Sequence, residues 1–315
     1  MPPARGENAR ESLWELSRTG MTESRTSVTV IVPAYNEEAA VGETLRELRG
    51  GLDVDNSRDY TILVVNDGST DGTAEVLDGL REELKLEVVH SPQNRGYGAS
   101  LKKGIAASQS DFVMTFDSDG QHDPKHLPEM AAGLESGYDA VIGARQAGKG
   151  APLWRVPGRW VLAWLVNYLC GRRIPDFNCG LRAFRRSVIE SITHLCSEKF
   201  SFSATSTMAL YGRNANVKFI PIEARKRTGK STVSVGTGLE AFLLVLTSIM
   251  FFRPLKIFLP VSFLIGFGGT AMWTYELVFR QDIGESAVIM LLTALQLFLI
   301  GLLADQIAHL RKQKK

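Results

Sequence analysis

The segment DFVMTFDSDGQH (111–122) decides the fold, because an apolar run that predicts a buried β-strand ends directly in two aspartates. Asp117 and Asp119 are separated by one residue, so their side chains share a face in an extended segment. Two carboxylates on one face repel each other unless a cation lies between them. Such hard oxygen ligands favour Mg²⁺ or Mn²⁺, and Gln121 adds a neutral oxygen. The segment predicts a metal site at Asp117, Asp119 and Gln121, with an ordinary surface loop as the alternative.

Similar apolar runs, rich in β-branched residues, occur on both sides of this strand. Including this strand, the chain contains five such runs, at 28–33, 61–66, 86–90, 111–116 and 138–143. Helix-like stretches separate the first four, at 37–50, 72–84 and 97–108. This alternation predicts an α/β domain over residues 28–236 with a Rossmann-like, mostly parallel sheet. Ligands of such sheets bind at the carboxyl ends of the strands, where the polar motifs of this chain occur.

The composition is that of a folded protein, with 44% hydrophobic and 22% charged residues. The net charge of +2 gives no reason to expect a nucleic-acid partner. The three cysteines form no CxxC pair and no disulfide framework, which is typical of a reducing compartment. Residues 1–27 are polar and lack an apolar core, so we expect a mobile N-terminal tail rather than a signal peptide.

The C-terminal part differs sharply from the rest of the chain. Ile257–Tyr275 and Ser286–Ala304 are each 19 residues long and contain no charge. That length is about what a helix needs to cross ~30 Å of hydrocarbon. With the intervening 276–285 as a short turn, they predict a transmembrane hairpin over 257–305, with spans at 257–279 and 286–304. Two buried core helices are the alternative.

Basic residues flank the predicted hairpin on both sides. Arg253 and Lys256 precede it and a basic tail at 306–315 follows, whereas the turn contains only Arg280. The positive-inside rule therefore predicts an integral membrane protein whose large domain is cytoplasmic, at a bacterial inner membrane or the endoplasmic reticulum. Residues 237–256 include an apolar run too short to span, which predicts an interfacial helix; a soluble core helix is the alternative.

Two further motifs follow predicted strands. In VPAYNEE (32–38), Tyr35 can stack on a flat ring and Glu37 can accept hydrogens from ribose hydroxyls. NDGSTDGT (66–73) places Asp67 at a strand end. Each motif is also compatible with an ordinary strand–helix junction.

NRGYGASLKKGI (94–105) is rich in glycine and basic residues, and its backbone N–H groups could face a phosphate. The chain lacks the GxxxxGK[ST] and G-x-G-x-x-G patterns, which excludes a P-loop ATPase and a Rossmann dehydrogenase. Arginines mixed with aromatic residues in DFNCGLRAFRR (176–186), followed by RKRTGKST (225–232), predict a cationic pocket suited to an anionic lipid head. A solvated charge run is the alternative.

Taken together, these motifs resemble glycosyltransferase family 2, which has the GT-A fold. They are most similar to the polyprenyl-phosphate sugar transferases, namely the dolichol-phosphate mannosyltransferases and the bactoprenol glucosyltransferases, over about residues 28–305. The resemblance implies that Asp117, Asp119 and Arg145 are catalytic. It implies a nucleotide-sugar site at Pro33, Tyr35, Glu37, Asp67 and Asp117. It implies a Mg²⁺ or Mn²⁺ site at Asp117, Asp119 and Gln121, and phosphate contacts, including the lipid phosphate, at Arg159, Arg182, Arg227, Lys230 and Ser231.

The implied reaction moves one hexose, with inversion, from a nucleotide diphosphate sugar of the UDP-glucose or GDP-mannose class. The implied acceptor is polyprenyl or dolichyl phosphate in the cytoplasmic leaflet. The bilayer is a further partner, and association of several copies through the hairpins is left open. Three alternatives remain: a non-catalytic nucleotide-sugar-binding membrane adaptor, a transport subunit built on the hairpin, and a family 2 transferase with another lipid acceptor.

Overall fold

A single mixed β-sheet organises the N-terminal part of the molecule. The computed structural model describes residues 25–145, 167–168, 171–198, 201–223, 225, 254–280 and 284–313. Within these residues seven strands pair in the order β3-β2-β1-β4-β6-β5-β7. They are β1 (Thr26–Ala34), β2 (Arg58–Asn66), β3 (Leu86–His90), β4 (Phe112–Thr115), β5 (Ala140–Arg145), β6 (Arg182–Arg185) and β7 (Val217–Ile222).

The five strands predicted from apolar runs are confirmed, and the sheet is mostly parallel as predicted. β1 pairs in parallel with both β2 and β4, β2 with β3, and β5 with β7. β6 and β7 were not predicted from the sequence. β6 runs antiparallel between β4 and β5, so its amino end lies at the edge where β4 ends.

Helices cover the sheet between the strands. They are α1 (Val41–Leu52), α2 (Thr73–Leu80), α3 (Tyr97–Ala107), α4 (Leu127–Glu135), α5 (Arg186–Thr193) and α6 (Phe202–Gly212), with a 3₁₀ turn at Pro124–His126. The first three confirm the helices predicted between strands. α1 buries Leu45, Leu48 and Leu52, an i, i+3, i+7 spacing that gives the helix one apolar face. We call the strands and helices between Thr26 and Ile222 the sheet domain.

Close packing of α3 on the sheet depends on a glycine. A Cβ atom at Gly104 would lie 2.5 Å from the side chain of Ile31 in the centre of β1. Ile31 is fully buried and has no room to move in a close-packed interior. The contact therefore fixes how deeply α3, and the loop before it, sit against β1.

The C-terminal part forms two apolar helices that are long enough to span a membrane. α7 (Leu255–Tyr275) continues as a π-helical segment (Glu276–Arg280), and α8 (Glu285–Gln313) follows. We call these three elements the hairpin. Phe263, Leu264 and Phe267 are between 68% and 77% exposed, which argues against the alternative of buried core helices.

The turn of the hairpin is shorter than predicted. The prediction that all of 276–285 forms a turn is wrong, because helical winding continues to Arg280 and resumes at Glu285. The buried side chain of Glu276 accepts a hydrogen bond of 2.9 Å from the N–H of Gly284, which ties the end of the first helix to the start of the second. The predicted tail (1–24 of 1–27) and interfacial helix (237–253 of 237–256) lie outside the described residues.

The base of the hairpin contacts the sheet domain directly. The Nζ atom of Lys256 donates a hydrogen bond of 3.0 Å to the carbonyl of Tyr168 and lies 5.6 Å from the centre of its ring. The Tyr168 hydroxyl donates in return to the carbonyl of Lys256, at 3.2 Å. Ile257, the next residue, packs against the core of the sheet domain. We call the reciprocal Tyr168–Lys256 contact the latch.

Candidate active site

The carboxyl ends of β1, β2 and β4 meet at one edge because the three strands are adjacent and parallel. Tyr35 and Glu37 follow β1, Asp67 follows β2, and Asp117 follows β4. We call these three strand ends, with the loops after them, the strand-end edge. The edge brings together the residues predicted for the nucleotide sugar and for the metal ion, which the chain separates by more than 80 positions.

The loops after β1 and β2 are tied to each other. The N–H of Asn36 donates to the Ser69 hydroxyl at 3.0 Å, and the N–H of Thr70 donates to the Asn36 side-chain oxygen at 2.8 Å. Asn36 has a positive φ of 54°, which asparagine tolerates better than most residues. Tyr35 remains 39% exposed beside this pair of loops. Its ring is therefore available to stack on a flat group.

Asp67 is buried and holds the loop before α3. Its carboxylate accepts hydrogen bonds from the N–H groups of Arg95, at 3.1 Å, and Gly96, at 2.7 Å. These two N–H groups therefore bind a carboxylate of the protein, and the hypothesis that they face a phosphate is wrong. Gly68 allows the loop before α3 to come this close to the end of β2. Its φ is +69°, and a Cβ there would lie 2.6 Å from the backbone of Gln93.

Asp117 is held by two side chains and faces a glycine. Its Oδ1 atom accepts from the Tyr97 hydroxyl at 2.9 Å, and its Oδ2 atom lies 3.1 Å from Nε2 of His122. A Cβ at Gly180 would lie 2.1 Å from Oδ2, so only glycine leaves room for the carboxylate. Burial raises the pKa of Asp117, but His122, Tyr97 and the positive charge of Arg145 outweigh it and lower the pKa below its ordinary value. The carboxylate is therefore ionised at neutral pH.

Asp119 and Gln121 belong to a tight turn after Asp117. The Oδ1 atom of Asp119 accepts from the N–H of Gln121 at 3.1 Å, and Gly120 between them has a φ of +71°. In the part of the chain that the structure describes, no group of three or more His, Cys, Asp or Glu side chains could hold a metal ion. Mg²⁺ usually binds through one or two carboxylates and completes its shell with water and substrate phosphate. The oxygen donors of Asp117, Asp119 and Gln121 fit such an ion.

Arg145 lies at the carboxyl end of β5 and forms a two-pronged ion pair with Asp176. Its Nε atom donates to Oδ2 at 2.7 Å and its Nη2 atom to Oδ1 at 3.2 Å. Burial raises the pKa of Asp176, but Arg145 outweighs it and lowers that pKa. The same pair raises the pKa of Arg145. Arg145 is therefore a fixed cation near Asp117, on which it also acts electrostatically.

Arg182 does not fit the predicted phosphate contact. Its side chain is 1% exposed, and its guanidinium donates to the carbonyls of Cys179 and Phe177 and to the hydroxyls of Ser206 and Thr207. Burial lowers its pKa. The guanidinium thus donates four hydrogen bonds to groups inside the protein. We therefore interpret Arg182 as a packing residue beneath the site. Arg159, Arg227, Lys230 and Ser231 lie outside the described residues.

Two family models match separate parts of the chain. The model "Glycosyl transferase family 2" matches residues 29–193, and the model "GtrB C-terminal hairpin" matches residues 253–310. The chain belongs to glycosyltransferase family 2. The first match contains the strand-end edge and the second contains the hairpin, so the enzyme combines a family 2 catalytic domain with a C-terminal hairpin of two apolar helices.

Curated relatives of this glycosyltransferase match it along most of its length. An undecaprenyl-phosphate 4-deoxy-4-formamido-L-arabinose transferase of Pseudomonas aeruginosa (strain LESB58) is 28% identical over 90% of this chain and 85% of its own. A protein of the same name in Klebsiella pneumoniae subsp. pneumoniae is 27% identical over 90% of this chain and 88% of its own. The similarity extends through both the sheet domain and the hairpin.

Solved structures show the GT-A fold. The glucosyl-3-phosphoglycerate synthase of Mycobacterium tuberculosis, in complex with Mn²⁺, UDP and glucosyl-3-phosphoglycerate, has a TM-score of 0.57 at 20% identity. The match covers 79% of this chain and 86% of that one. A second structure of that synthase contains Mg²⁺ and UDP, with a TM-score of 0.57 at 20% identity over 75% and 82% of the two chains. That synthase has thus been crystallised with either ion.

Four residues that contact the candidate site residues were not predicted from the sequence. Tyr97 and His122 contact Asp117, Gly180 lies against it, and Asp176 holds Arg145. Tyr97, His122 and Asp176 stand inside motifs that were quoted for other residues. No spacing rule points to them, because their partners come from other elements of the fold.

Arg225 is a further residue of the site, at the end of the described sheet domain. Its N–H donates to the carbonyl of Gln121 at 3.0 Å, and its guanidinium contacts Asp123, at 2.9 Å, and Glu47. The segment that begins at Arg225 was predicted to contact phosphate. Its first residue, Arg225, is bound to the loop of Asp119 and Gln121, beside the predicted metal site.

Proposed function

We propose that this glycosyltransferase moves one hexose from a nucleotide diphosphate sugar to polyprenyl phosphate in the cytoplasmic leaflet of a membrane. The observation that carries the proposal is the similarity along 90% of the chain to transferases whose names specify undecaprenyl phosphate. That similarity includes the hairpin as well as the sheet domain. It therefore supports a lipid acceptor in addition to sugar transfer. The polyprenyl group is then the membrane-bound part of the substrate.

The donor would bind along the strand-end edge. Pro33, Tyr35, Glu37 and Asp67 would hold the nucleoside, and Asp117, Asp119 and Gln121 would hold a divalent ion on the diphosphate. Such an ion neutralises a diphosphate and stabilises it as a leaving group. Asp117 supports this assignment because His122, Tyr97 and Arg145 keep it ionised despite its burial.

The transfer would be a direct displacement. An oxygen of the lipid phosphate attacks the anomeric carbon, the bond from that carbon to the diphosphate oxygen breaks, and the nucleoside diphosphate leaves with the electron pair. Attack from the opposite face inverts the anomeric carbon. A lipid phosphate is largely ionised at neutral pH, so the attack requires little proton removal, and positioning and charge stabilisation supply most of the rate. Arg145, as a fixed cation near Asp117, would contribute to that charge stabilisation.

The hairpin gives the enzyme access to its acceptor. Removing a polyprenyl tail from the bilayer costs about 0.8 kcal/mol for each CH₂ that is exposed to water. The catalytic domain must therefore come to the lipid. The latch and the packing of Ile257 support this role, since they fix the base of the hairpin to the catalytic domain.

The test uses the purified full chain in liposomes that contain a short polyprenyl phosphate. Labelled UDP-glucose, UDP-N-acetylglucosamine, UDP-galactose, GDP-mannose and a nucleotide-linked 4-deoxy-4-formamido-L-arabinose are offered separately, with Mg²⁺, Mn²⁺ or EDTA. We expect label from one donor to enter the organic phase, and EDTA to abolish the transfer. The donor that reacts identifies the sugar and the nucleobase. Transfer from the formamido-arabinose donor alone would show that the sugar is a pentose and would overturn the hexose part of the proposal.

Two other outcomes separate the alternatives. Metal-dependent nucleotide binding without lipid-linked label from any donor would favour the non-catalytic membrane adaptor. Transfer of label to a different membrane lipid, with polyprenyl phosphate unlabelled, would favour a family 2 transferase with another lipid acceptor.

A further inference from the structure

One short segment contacts two carboxylates of the proposed donor site, Asp67 and Asp117. The N–H groups of Arg95 and Gly96 donate to Asp67, and the hydroxyl of the next residue, Tyr97, donates to Asp117. Gly96 has a φ of +104°, a conformation that other residues rarely adopt. Three consecutive residues thus join the end of β2 to the end of β4, although β1 lies between those strands.

This segment is itself anchored. Tyr97 begins α3, whose depth on the sheet is set by Gly104 against Ile31. Two residues further on, the N–H of Ala99 donates to the carbonyl of Glu198 at 2.8 Å. The Tyr97 hydroxyl, which donates to Asp117 at 2.9 Å, is thus carried by a helix whose position on the sheet is fixed.

His122 holds the other oxygen of Asp117. Its side chain is 2% exposed and its ring meets Phe116 edge-on, with 6.1 Å between the ring centres. An ionised carboxylate only accepts hydrogen bonds, so Nε2 must carry the hydrogen. The Nδ1 atom is buried and has no hydrogen-bond partner among the described residues. The described contacts of the ring are therefore the one through Nε2 with Asp117 and the edge-on contact with Phe116.

Asp117 differs in this respect from the other two aspartates of the edge. Asp67 and Asp119 accept hydrogen bonds from backbone N–H groups of their own or a neighbouring loop. The hydrogen bonds to Asp117 within the described residues come from two side chains. Its orientation therefore depends on those two side chains, and a substitution can remove either contact without altering the backbone.

We propose that Tyr97 and His122 are positioning residues that orient Asp117 toward the diphosphate. We further infer that the segment Arg95–Tyr97 sets the spacing between the nucleoside end and the diphosphate end of the donor site. The inference rests on the proposed function, since it takes Asp67 and Asp117 as donor ligands. Loss of either side chain should weaken the metal-dependent part of nucleotide binding and leave the metal-independent part unchanged.

The test measures binding by calorimetry, with the full chain in detergent, to UDP and to GDP in the presence of Mn²⁺ or of EDTA. The variants are Tyr97→Phe, His122→Leu and His122→Gln, the last of which keeps an N–H donor. Tyr60→Phe is the matched control, because it removes a tyrosine-to-aspartate hydrogen bond of 2.8 Å, to Asp55, away from the strand-end edge. Thermal unfolding of each variant accompanies the binding data.

We expect Tyr97→Phe and His122→Leu to bind the nucleotide with Mn²⁺ about tenfold more weakly, as is typical when a hydrogen bond to a charged group is lost. We expect His122→Gln and Tyr60→Phe to bind like the wild type, and all variants to bind equally in EDTA. If the wild type shows no Mn²⁺-dependent binding, both the proposed function and this inference are wrong. If it does, and Tyr97→Phe binds as tightly as Tyr60→Phe, only this inference is wrong.

Discussion

The strand-end edge and the hairpin are held together by different kinds of contact. At the edge, Asp67 and Asp117 are fixed by hydrogen bonds of 2.7–3.1 Å. Three of the donors lie 20 to 29 residues away in the chain, and the fourth, His122, lies five residues after Asp117. In the hairpin, α7 and α8 touch through small residues: Cβ atoms at Gly269 and Gly301 would lie 3.1 Å from Met290 and 2.5 Å from Phe258.

The difference shows which part determines the chemistry. Hydrogen bonds are directional and weaken steeply with distance and angle, so the loss of one atom at the edge changes where a charge is placed. Packing between apolar helices in lipid is distributed over many weak contacts. Single substitutions at the edge should therefore affect the rate strongly, whereas substitutions at the hairpin should mainly affect access to the lipid.

The largest effect on the rate of sugar transfer is expected for Asp119→Ala at the strand-end edge. This change removes a carboxylate that neutralises the proposed metal–diphosphate group, and losses of such charge stabilisation reduce rates by about 10²–10³-fold. The initial rate of lipid-linked product formation measures it. Asp53→Ala is the control, since Asp53 lies at the end of α1 with a side chain that is 66% exposed. A variant that keeps more than about a tenth of the wild-type rate would contradict the metal assignment.

The next largest effect is expected for Gly180→Ala, which adds a Cβ 2.1 Å from Oδ2 of Asp117. The carboxylate must move, and a displacement of about 1 Å in an active site can reduce the rate about 100-fold. Gly79→Ala in α2 is the matched control, because a Cβ there has no atom within 4 Å. It should leave the rate unchanged and stabilise the protein by up to about 1 kcal/mol. Equal rates of transfer for the two variants would show that the position of the Asp117 carboxylate has little influence on the rate.

A smaller effect is expected for Lys256→Met in the latch. The change removes the 3.0 Å hydrogen bond to Tyr168 and the contact with its ring, and one such bond contributes about 1 kcal/mol. We expect transfer to polyprenyl phosphate in liposomes to fall about fivefold. Nucleotide binding should remain unchanged. Thr274→Val is the hairpin control, because its hydroxyl bonds only within its own helix among the described contacts. A loss of nucleotide binding in Lys256→Met would contradict the separation of the two regions.

The smallest effect on sugar transfer is expected for a substitution of Asp55, a carboxylate outside both regions, which should change only the stability of the fold. Burial raises its pKa, but hydrogen bonds from Ser57, Tyr60 and Arg58 outweigh it and lower the pKa to about 2. Since this value lies below that of the unfolded chain, the stabilisation is complete above about pH 4 and is lost as the pH falls toward 2. Asp55→Asn should remove about 1–2 kcal/mol of stability at neutral pH and little near pH 2, without any change in transfer. Denaturant unfolding at several pH values measures this difference, and a pH-independent difference would contradict it.

Sequence reasoning predicted the parts of the fold that local pattern determines. β1 to β5 are continuous apolar runs and α1 to α3 have an apolar face, so both could be recognised without their neighbours. β6 was missed because RAFR (182–185) contains two arginines and reads as a charged surface. In the structure Arg182 is buried, because α6 supplies hydroxyls and the preceding loop supplies carbonyls that accept its hydrogen bonds. These acceptors are distant in the chain or belong to the backbone, and no local pattern reveals them.

The residues of the candidate site divide in the same way, into those that a local pattern predicts and those that depend on distant parts of the chain. Asp117, Asp119 and Asp67 were predicted because carboxylates after buried strands have a chemical meaning of their own. Tyr97 and His122 were missed because a tyrosine in a glycine-rich loop and a histidine before a helix have many roles. Their part became apparent only when the fold brought Tyr97 next to a residue 20 positions further along the chain.

The position of β6 in the chain has a consequence for biosynthesis. The strand runs opposite to β4, so Gly180 reaches Asp117 only after the chain has continued well beyond the aspartate. The sheet is complete at Ile222, and the first apolar helix begins at Leu255. Because domains generally fold as units, amino-terminal first, during synthesis, the catalytic domain can be finished before the hairpin leaves the ribosome. The apolar hairpin is then made with a paired sheet already attached, so the unpaired strands of the sheet do not meet it during folding.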